Sequence, residues 1–349
     1  MWSSASGDPG AVTNGAPGTL VAAASEQRLC FQPDEPFRPA AHLESPHAQT
    51  LFAALVRPIR APPLVRERWS TPDGDFVDVD FLPAPPAAPH LLVLHGLEGS
   101  AKSSYVAELL RGAHRRGWGA AALNFRSCSG EQNRLARFYH SGDTADALFV
   151  ASRLRTRITG PLFGVGFSLG GNVLLVLLAR AGREAPFEAA AAISVPYDLH
   201  ACARVLDRGA GIYRLYRWWF LRSLRRKALE KLKSHPGSFD SKPVRRARGI
   251  EAFDDVVTAP LHGFRDAADY YAQSSSGPLL VQIRRPTLLI SAKDDPLAPA
   301  PLPEPALENN SLAALVTERG GHVGFVAGSM RKPKYWAEQQ ALNFLQAFC

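Results

Sequence analysis

Only four cysteines occur in 349 residues, Cys30, Cys128, Cys202 and Cys349, and no two are spaced as a pair. That spacing argues against a disulfide framework and a cysteine-based zinc site, and it suits a reducing compartment. No apolar run approaches the roughly 20 residues of a membrane-spanning helix. The N-terminus has no basic stretch followed by a long apolar one, so no signal peptide is expected and the reading is cytoplasmic. No metal ligand set or organic cofactor is implied. Even the formal charge of +8 is local. Residues 203–249 carry 14 Lys/Arg against 3 Asp/Glu, a segment charge of +11, which leaves −3 for the rest.

What is present is a core-forming chain with 46% hydrophobic residues. Residues 1–33 are rich in Gly, Ala, Ser and Pro without periodicity, and read as a disordered leader. Arg66–Leu82 alternates around Pro72-Asp-Gly74 and predicts an antiparallel hairpin at a sheet edge. From His90 onward, apolar runs alternate with helical patterns. Strands are predicted at 91–94, 119–125, 162–167, 189–195, 286–291 and 312–317. Helices are predicted at 105–116, 144–157, 173–179 and 335–348. That alternation predicts a mainly parallel sheet covered by helices on both faces, in which ligands bind at the carboxyl ends of the strands.

The pattern Gly166-Phe-Ser-Leu-Gly170 lies between one such strand and its helix. There G-x-S-x-G puts the serine on a sharp, strained turn with its hydroxyl exposed. A hydroxyl is a weak nucleophile without a base in hydrogen-bond reach. His322, in Gly320-Gly-His-Val-Gly324 after the last strand, is the candidate base. The acid that orients it is Asp294 or Asp295. Asp295 is preferred, because Asp294 falls partly within the strand end and Pro299 follows Asp295 at a suitable spacing; Asp294 is then expected to cap the following turn. The oxyanion hole would use the backbone N–H of Leu169 and that of Leu97, in the loop after His95-Gly96.

These motifs, with Asn124-Phe-Arg-Ser-Cys-Ser-Gly-Glu131, Tyr139-His-Ser-Gly-Asp-Thr144 and Pro46-His-Ala-Gln-Thr50, make the chain resemble the EMB8/YheT-like esterase family of α/β-hydrolases across about residues 36–349. The resemblance implies the α/β-hydrolase fold, a triad on Ser168, Asp295 and His322, and lipid-like acyl esters as substrates. One departure is Ser127, where the family usually has glycine. Arg126, His140 and Asp143 are expected to form a buried polar brace near the site. The H-x4-D run from His235 to Asp240, an acyltransferase-like pattern, is read as coincidence.

The β–α rhythm breaks between Asp198 and Pro286. The expected organisation is therefore a hydrolase core at 34–198 and 286–349, with a helical basic cap inserted at 199–285. Tyr213–Leu232 reads as a basic helix whose stripe of Leu221, Leu224, Ala228 and Leu232 packs inward while its charges are solvated. Weak contact with an anionic membrane surface through 203–249 is the sharper alternative; no nucleic-acid motif accompanies the charge. The function expected is a serine esterase cleaving acyl esters without cofactor. The alternatives are an acyltransferase using an alcohol acceptor, or a non-catalytic lipid-binding protein.

Overall fold

The structure is a computed structural model that describes residues 28–59, 61–299 and 302–349. Most of the expected leader lies outside these residues. Its last part is packed rather than disordered. The Leu29 N–H donates to Asn310 O, and buried Phe31 meets Phe344 edge-on at 5.5 Å.

Eight strands form one sheet: β1 (Val65–Ser70), β2 (Phe76–Leu82), β3 (His90–Leu94), β4 (Gly119–Asn124), β5 (Leu162–Phe167), β6 (Ala189–Ile193), β7 (Thr287–Ala292) and β8 (Leu312–Thr317). Their order is β1-β2-β4-β3-β5-β6-β7-β8. The β1–β2 hairpin is antiparallel and joins β4 antiparallel; every pairing from β4 through β8 is parallel. The central strands β3, β5, β6 and β7 are buried along their whole length. Continuous apolar runs are what a strand covered on both faces requires.

The helices before the insertion are α1 (Pro46–Leu51), α2 (Ser104–Arg115), α3 (Ala145–Arg155) and α4 (Leu169–Ala181). A core containing Val106, Leu109 and Leu110 of α2 covers one face of the sheet. A second core, with Val150 of α3 and Val173 and Leu177 of α4, covers the other.

Six helices follow β6: α5 (Leu199–Arg208), α6 (Ile212–Ser234), α7 (Ser241–Arg246), α8 (Ile250–Phe253), α9 (Ala259–His262) and α10 (Ala267–Ser274). They share their own apolar cluster, which includes Leu206, Tyr216, Leu221, Phe253 and Tyr270. The His235–Asp240 run is the turn between α6 and α7, where the Asp240 side chain caps α7 by accepting the Lys242 N–H at 2.9 Å. The chain then completes the sheet, with α11 (Glu304–Glu308) between β7 and β8, and ends in α12 (Trp336–Gln346), which lies beside α2 on the first face.

Candidate active site

Parallel pairing aligns the ends of β5, β7 and β8, so the loops after them meet on one edge of the sheet. Ser168 follows β5 with φ 50° and ψ −121°, a conformation that L-residues avoid. The turn closes because the residues two before and two after Ser168 lack side chains. A Cβ on Gly166 would lie 2.5 Å from Gly170 O, and one on Gly170 would lie 2.3 Å from Leu94 O.

The His322 ring reaches back to this turn. Its Nε2 lies 2.9 Å from Ser168 Oγ, and its Nδ1 lies 2.8 Å from Asp295 Oδ2. With Nδ1–H donating to the carboxylate, Nε2 is left to accept from the hydroxyl. Asp295 is buried and also accepts the N–H groups of Leu297 and Ala298 at 2.8 and 2.9 Å. Asp294 does not cap that turn: its Oδ1 accepts the Gly321 N–H at 2.9 Å and so holds the histidine loop. The two adjacent carboxylates therefore divide the work. One meets the imidazole and the other meets the backbone beside it.

The histidine loop is further clamped by residues whose part in the site the sequence did not disclose. The His322 N–H donates to Thr50 Oγ1 and the Val323 N–H to Ser194 Oγ, each at 2.9 Å. Gln49 is fully buried; its amide donates to Leu43 O and Val326 O and accepts the Val326 N–H. The motif Pro46-His-Ala-Gln-Thr50 thus serves a segment some 270 residues away. Only tertiary contact reveals that.

Leu97 and Leu169 line one cavity with Ser168. The Gly96 N–H donates to Tyr105 OH at 2.9 Å, and the Glu98 N–H to Tyr139 OH at 2.8 Å. Leu97, between them, and Leu169, at the first turn of α4, donate to no other group among the described residues. His95 sets the start of this loop. Its Nε2 accepts the Phe125 N–H, so Nδ1 carries the proton and donates to Gly96 O at 2.7 Å. Complete burial drops its pKa to about 4, which keeps it neutral.

Glu98, also missed in sequence, ties this loop to the inserted helices. It sits at φ 57°. Its carboxylate accepts Tyr139 OH and Lys227 Nζ at 3.0 and 2.9 Å, and Ser223 Oγ as well. Lys227 and Ser223 belong to α6. Cys128 Sγ lies 3.2 Å from the same ammonium, but burial pushes its thiol up to about 11, so it is a neutral neighbour.

The expected polar brace takes a different form. Arg126 pairs with Asp146 at 2.7 Å and with Asp73 and Asp75 at 2.9 and 3.1 Å, not with Asp143. Asp143 pairs with Arg137. His140 packs against His262 with ring centroids 4.5 Å apart and the rings tilted by 58°, and burial lowers the pKa of both to about 3. Asp143 stands three residues before Asp146, just ahead of α3, and the sequence offered no reason to choose between them.

The cavity over Ser168 and His322 holds about 1090 Å³ of empty space, its mouth included. Its walls are largely apolar: Phe138, Leu199, Leu206, Phe220, Leu224 and Phe253. Five of these six come from α5, α6 and α8. Its polar side carries His140, His262 and Asp254, whose carboxyl burial raises to about 6.

A strained serine after a central parallel strand, with His and Asp in line and a helical insertion over a cavity, defines the α/β-hydrolase class. The alpha/beta hydrolase family model matches residues 91–333, and the chain belongs to that family, in its EMB8/YheT-like branch. YheT of Escherichia coli (strain K12) is 39% identical over 326 residues, covering 91% of this chain and 95% of YheT. Phospholipase ABHD3 of Mus musculus is 29% identical, covering 84% of this chain and 75% of its own length. The solved Pyrococcus furiosus esterase Pf2001 shares the fold, with a TM-score of 0.53 at 14% identity over 81% of this chain and 92% of its own.

Proposed function

We propose that this protein is a serine hydrolase that cleaves carboxylic esters with an apolar, lipid-like acyl part. The observation that carries this reading is the unbroken hydrogen-bonded line Ser168–His322–Asp295 opening onto an apolar, helix-covered cavity. A 29% identical relative named a phospholipase is consistent with an acyl-lipid substrate.

In this reading Ser168 Oγ attacks the acyl carbon while His322 Nε2 takes its proton. Asp295 keeps Nδ1 protonated and stabilises the imidazolium that forms. The N–H groups of Leu97 and Leu169, free of other partners, receive the developing oxyanion, a role worth roughly 100- to 1000-fold per donor in related chemistry. His322 then protonates the departing alkoxide. Water deprotonated by the same ring releases the acid and restores Ser168. The apolar walls from α5, α6 and α8 hold the acyl chain and exclude bulk water, which strengthens every interaction at the oxyanion.

Labelling with a fluorophosphonate, wild type beside Ser168→Ala, tests the nucleophile. A p-nitrophenyl ester series of increasing chain length then sizes the cavity. The expected result is labelling that the variant loses, with turnover peaking at one chain length. A folded wild type that neither labels nor cleaves any ester in the series would overturn the assignment.

A further inference from the structure

The helix α6 has two faces with different tasks. With about 3.6 residues per turn, residues 216, 220, 224, 227 and 231 fall on one side. Phe220, Leu224 and Lys227 of this set line the cavity, and Tyr216 and Lys231 are buried. The opposite side carries Arg214, Arg222, Arg225, Arg226 and Lys233. Together with Arg217, and with Arg245 and Arg248 beyond the turn, they line a separate groove whose one acidic residue is Glu230. Arg217 donates to the carbonyls of Leu206 and Asp207. The other seven cations make no ion pair and no hydrogen bond among the described residues.

The same outer face exposes large apolar side chains. Leu215, Trp218 and Trp219 are 49%, 51% and 57% exposed, and the Arg222 guanidinium lies 5.3 Å over the Trp218 ring. Cations at this density repel one another. They stay close at little cost only where anions arrive to neutralise them. Indole rings and a leucine interleaved with guanidinium groups suit the boundary between phosphate headgroups and acyl chains, where an amphipathic ring has one wet and one apolar side.

We propose that the outer face of α6, with Arg245 and Arg248, docks the protein on a bilayer bearing anionic lipid headgroups. The choice of lipid as the anion rests on the esterase reading above, since α6 separates this face from the ester cavity by a single helix. The surface itself does not depend on Ser168. Docking would hold the cavity within about one helix diameter, ~10 Å, of the source of its substrate.

The test is co-sedimentation of the full chain carrying Ser168→Ala with two vesicle types: phosphatidylcholine alone, and phosphatidylcholine with about 30% phosphatidylglycerol. Each Lys or Arg near such a surface contributes about 1 kcal/mol, roughly fivefold in partition. The triple variant Arg222→Glu, Arg226→Glu, Arg245→Glu is therefore expected to bind the anionic vesicles at least about 100-fold more weakly at an unchanged melting temperature. Binding of the parent should fall steeply between about 0.05 and 0.5 M salt. Trp218→Ser with Trp219→Ser should weaken what remains at high salt. Equal binding to both vesicle types, binding to neither, or a triple variant that binds like the parent would overturn the proposal. So would preference for a single-stranded oligonucleotide over anionic vesicles, which would reassign the groove to nucleic acid. Cleavage of a soluble p-nitrophenyl ester by the Ser168 protein is read separately, so loss of the esterase reading and loss of the docking surface are distinguishable.

Discussion

At Ser168 the backbone holds φ 50°, and Gly166 and Gly170, two residues away on either side, have no room for a Cβ. Strain concentrated at one hydroxyl is expected to serve reactivity rather than stability. Ser168→Ala is predicted to lower kcat for a p-nitrophenyl ester by at least about 10^4-fold with the melting temperature held within a few degrees. The adjacent carboxylates separate cleanly at this scale. Asp295→Asn should lower kcat by about 10^3- to 10^4-fold, since an amide favours the wrong tautomer of His322. Asp294→Asn keeps an oxygen for the Gly321 N–H and should cost less than tenfold. Equal losses in the two variants would refute the assignment of the acid. Ser127, the position where the resemblance leads one to expect glycine, has φ 61°, a conformation glycine adopts freely.

At the scale of elements, two buried charge clusters join segments far apart in the chain. The first joins α6 to the loop after β3 through Lys227, Ser223 and Glu98. Because Glu98 neighbours Leu97, Glu98→Gln is predicted to lower kcat about tenfold while KM moves less than threefold. Lys227→Met should do the same, because it leaves the buried carboxylate without its cation. A change in KM alone would place the pair in substrate binding instead. The second cluster is Arg126 with Asp73, Asp75 and Asp146, which fixes the loop after β4 to the β1–β2 turn and α3. Arg126 and Asp146 are almost wholly buried. Asp146→Ala should therefore destabilise by about 3–5 kcal/mol. Asp143→Ala, which breaks a pair with the partly exposed Arg137, should cost about 1 kcal/mol. Urea unfolding of the two variants makes the comparison.

For the whole molecule, the pH dependence of stability follows from histidines held neutral. His95, His140 and His262 have folded pKa values of about 4, 3 and 3, below the unfolded value near 6.5. Between those values the unfolded chain binds more protons, so stability rises with pH through this interval and is lost as pH falls. His95 alone should account for about 2 kcal/mol between pH 7 and pH 5. Asp254, raised to about 6, acts in the opposite sense over part of the interval, but three histidines oppose it. Urea midpoints at the two pH values are expected to fall on acidification, and His95→Gln should flatten the slope. A midpoint unchanged from pH 7 to pH 5 would refute the neutral assignment.

The hydrolase class was legible in the chain because its determinants are local. Continuous apolar runs specify buried parallel strands, and two glycines at fixed offsets specify the serine turn. The order of Ser168, Asp295 and His322 along a parallel sheet is enough to bring all three loops to one edge. What tertiary structure alone decided are the pairings between distant polar groups. It assigned Asp294 to the Gly321 amide, Arg126 to Asp146 rather than Asp143, Gln49 and Thr50 to the histidine loop, and Lys227 to Glu98. A hydrogen bond depends on a few tenths of an ångström and a direction, and neither is written in periodicity. The two faces of α6 follow the same rule. Its sequence shows that it is basic and apolar at once, but only the cavity beneath it decided which side chains turn inward and which remain free to meet an anion.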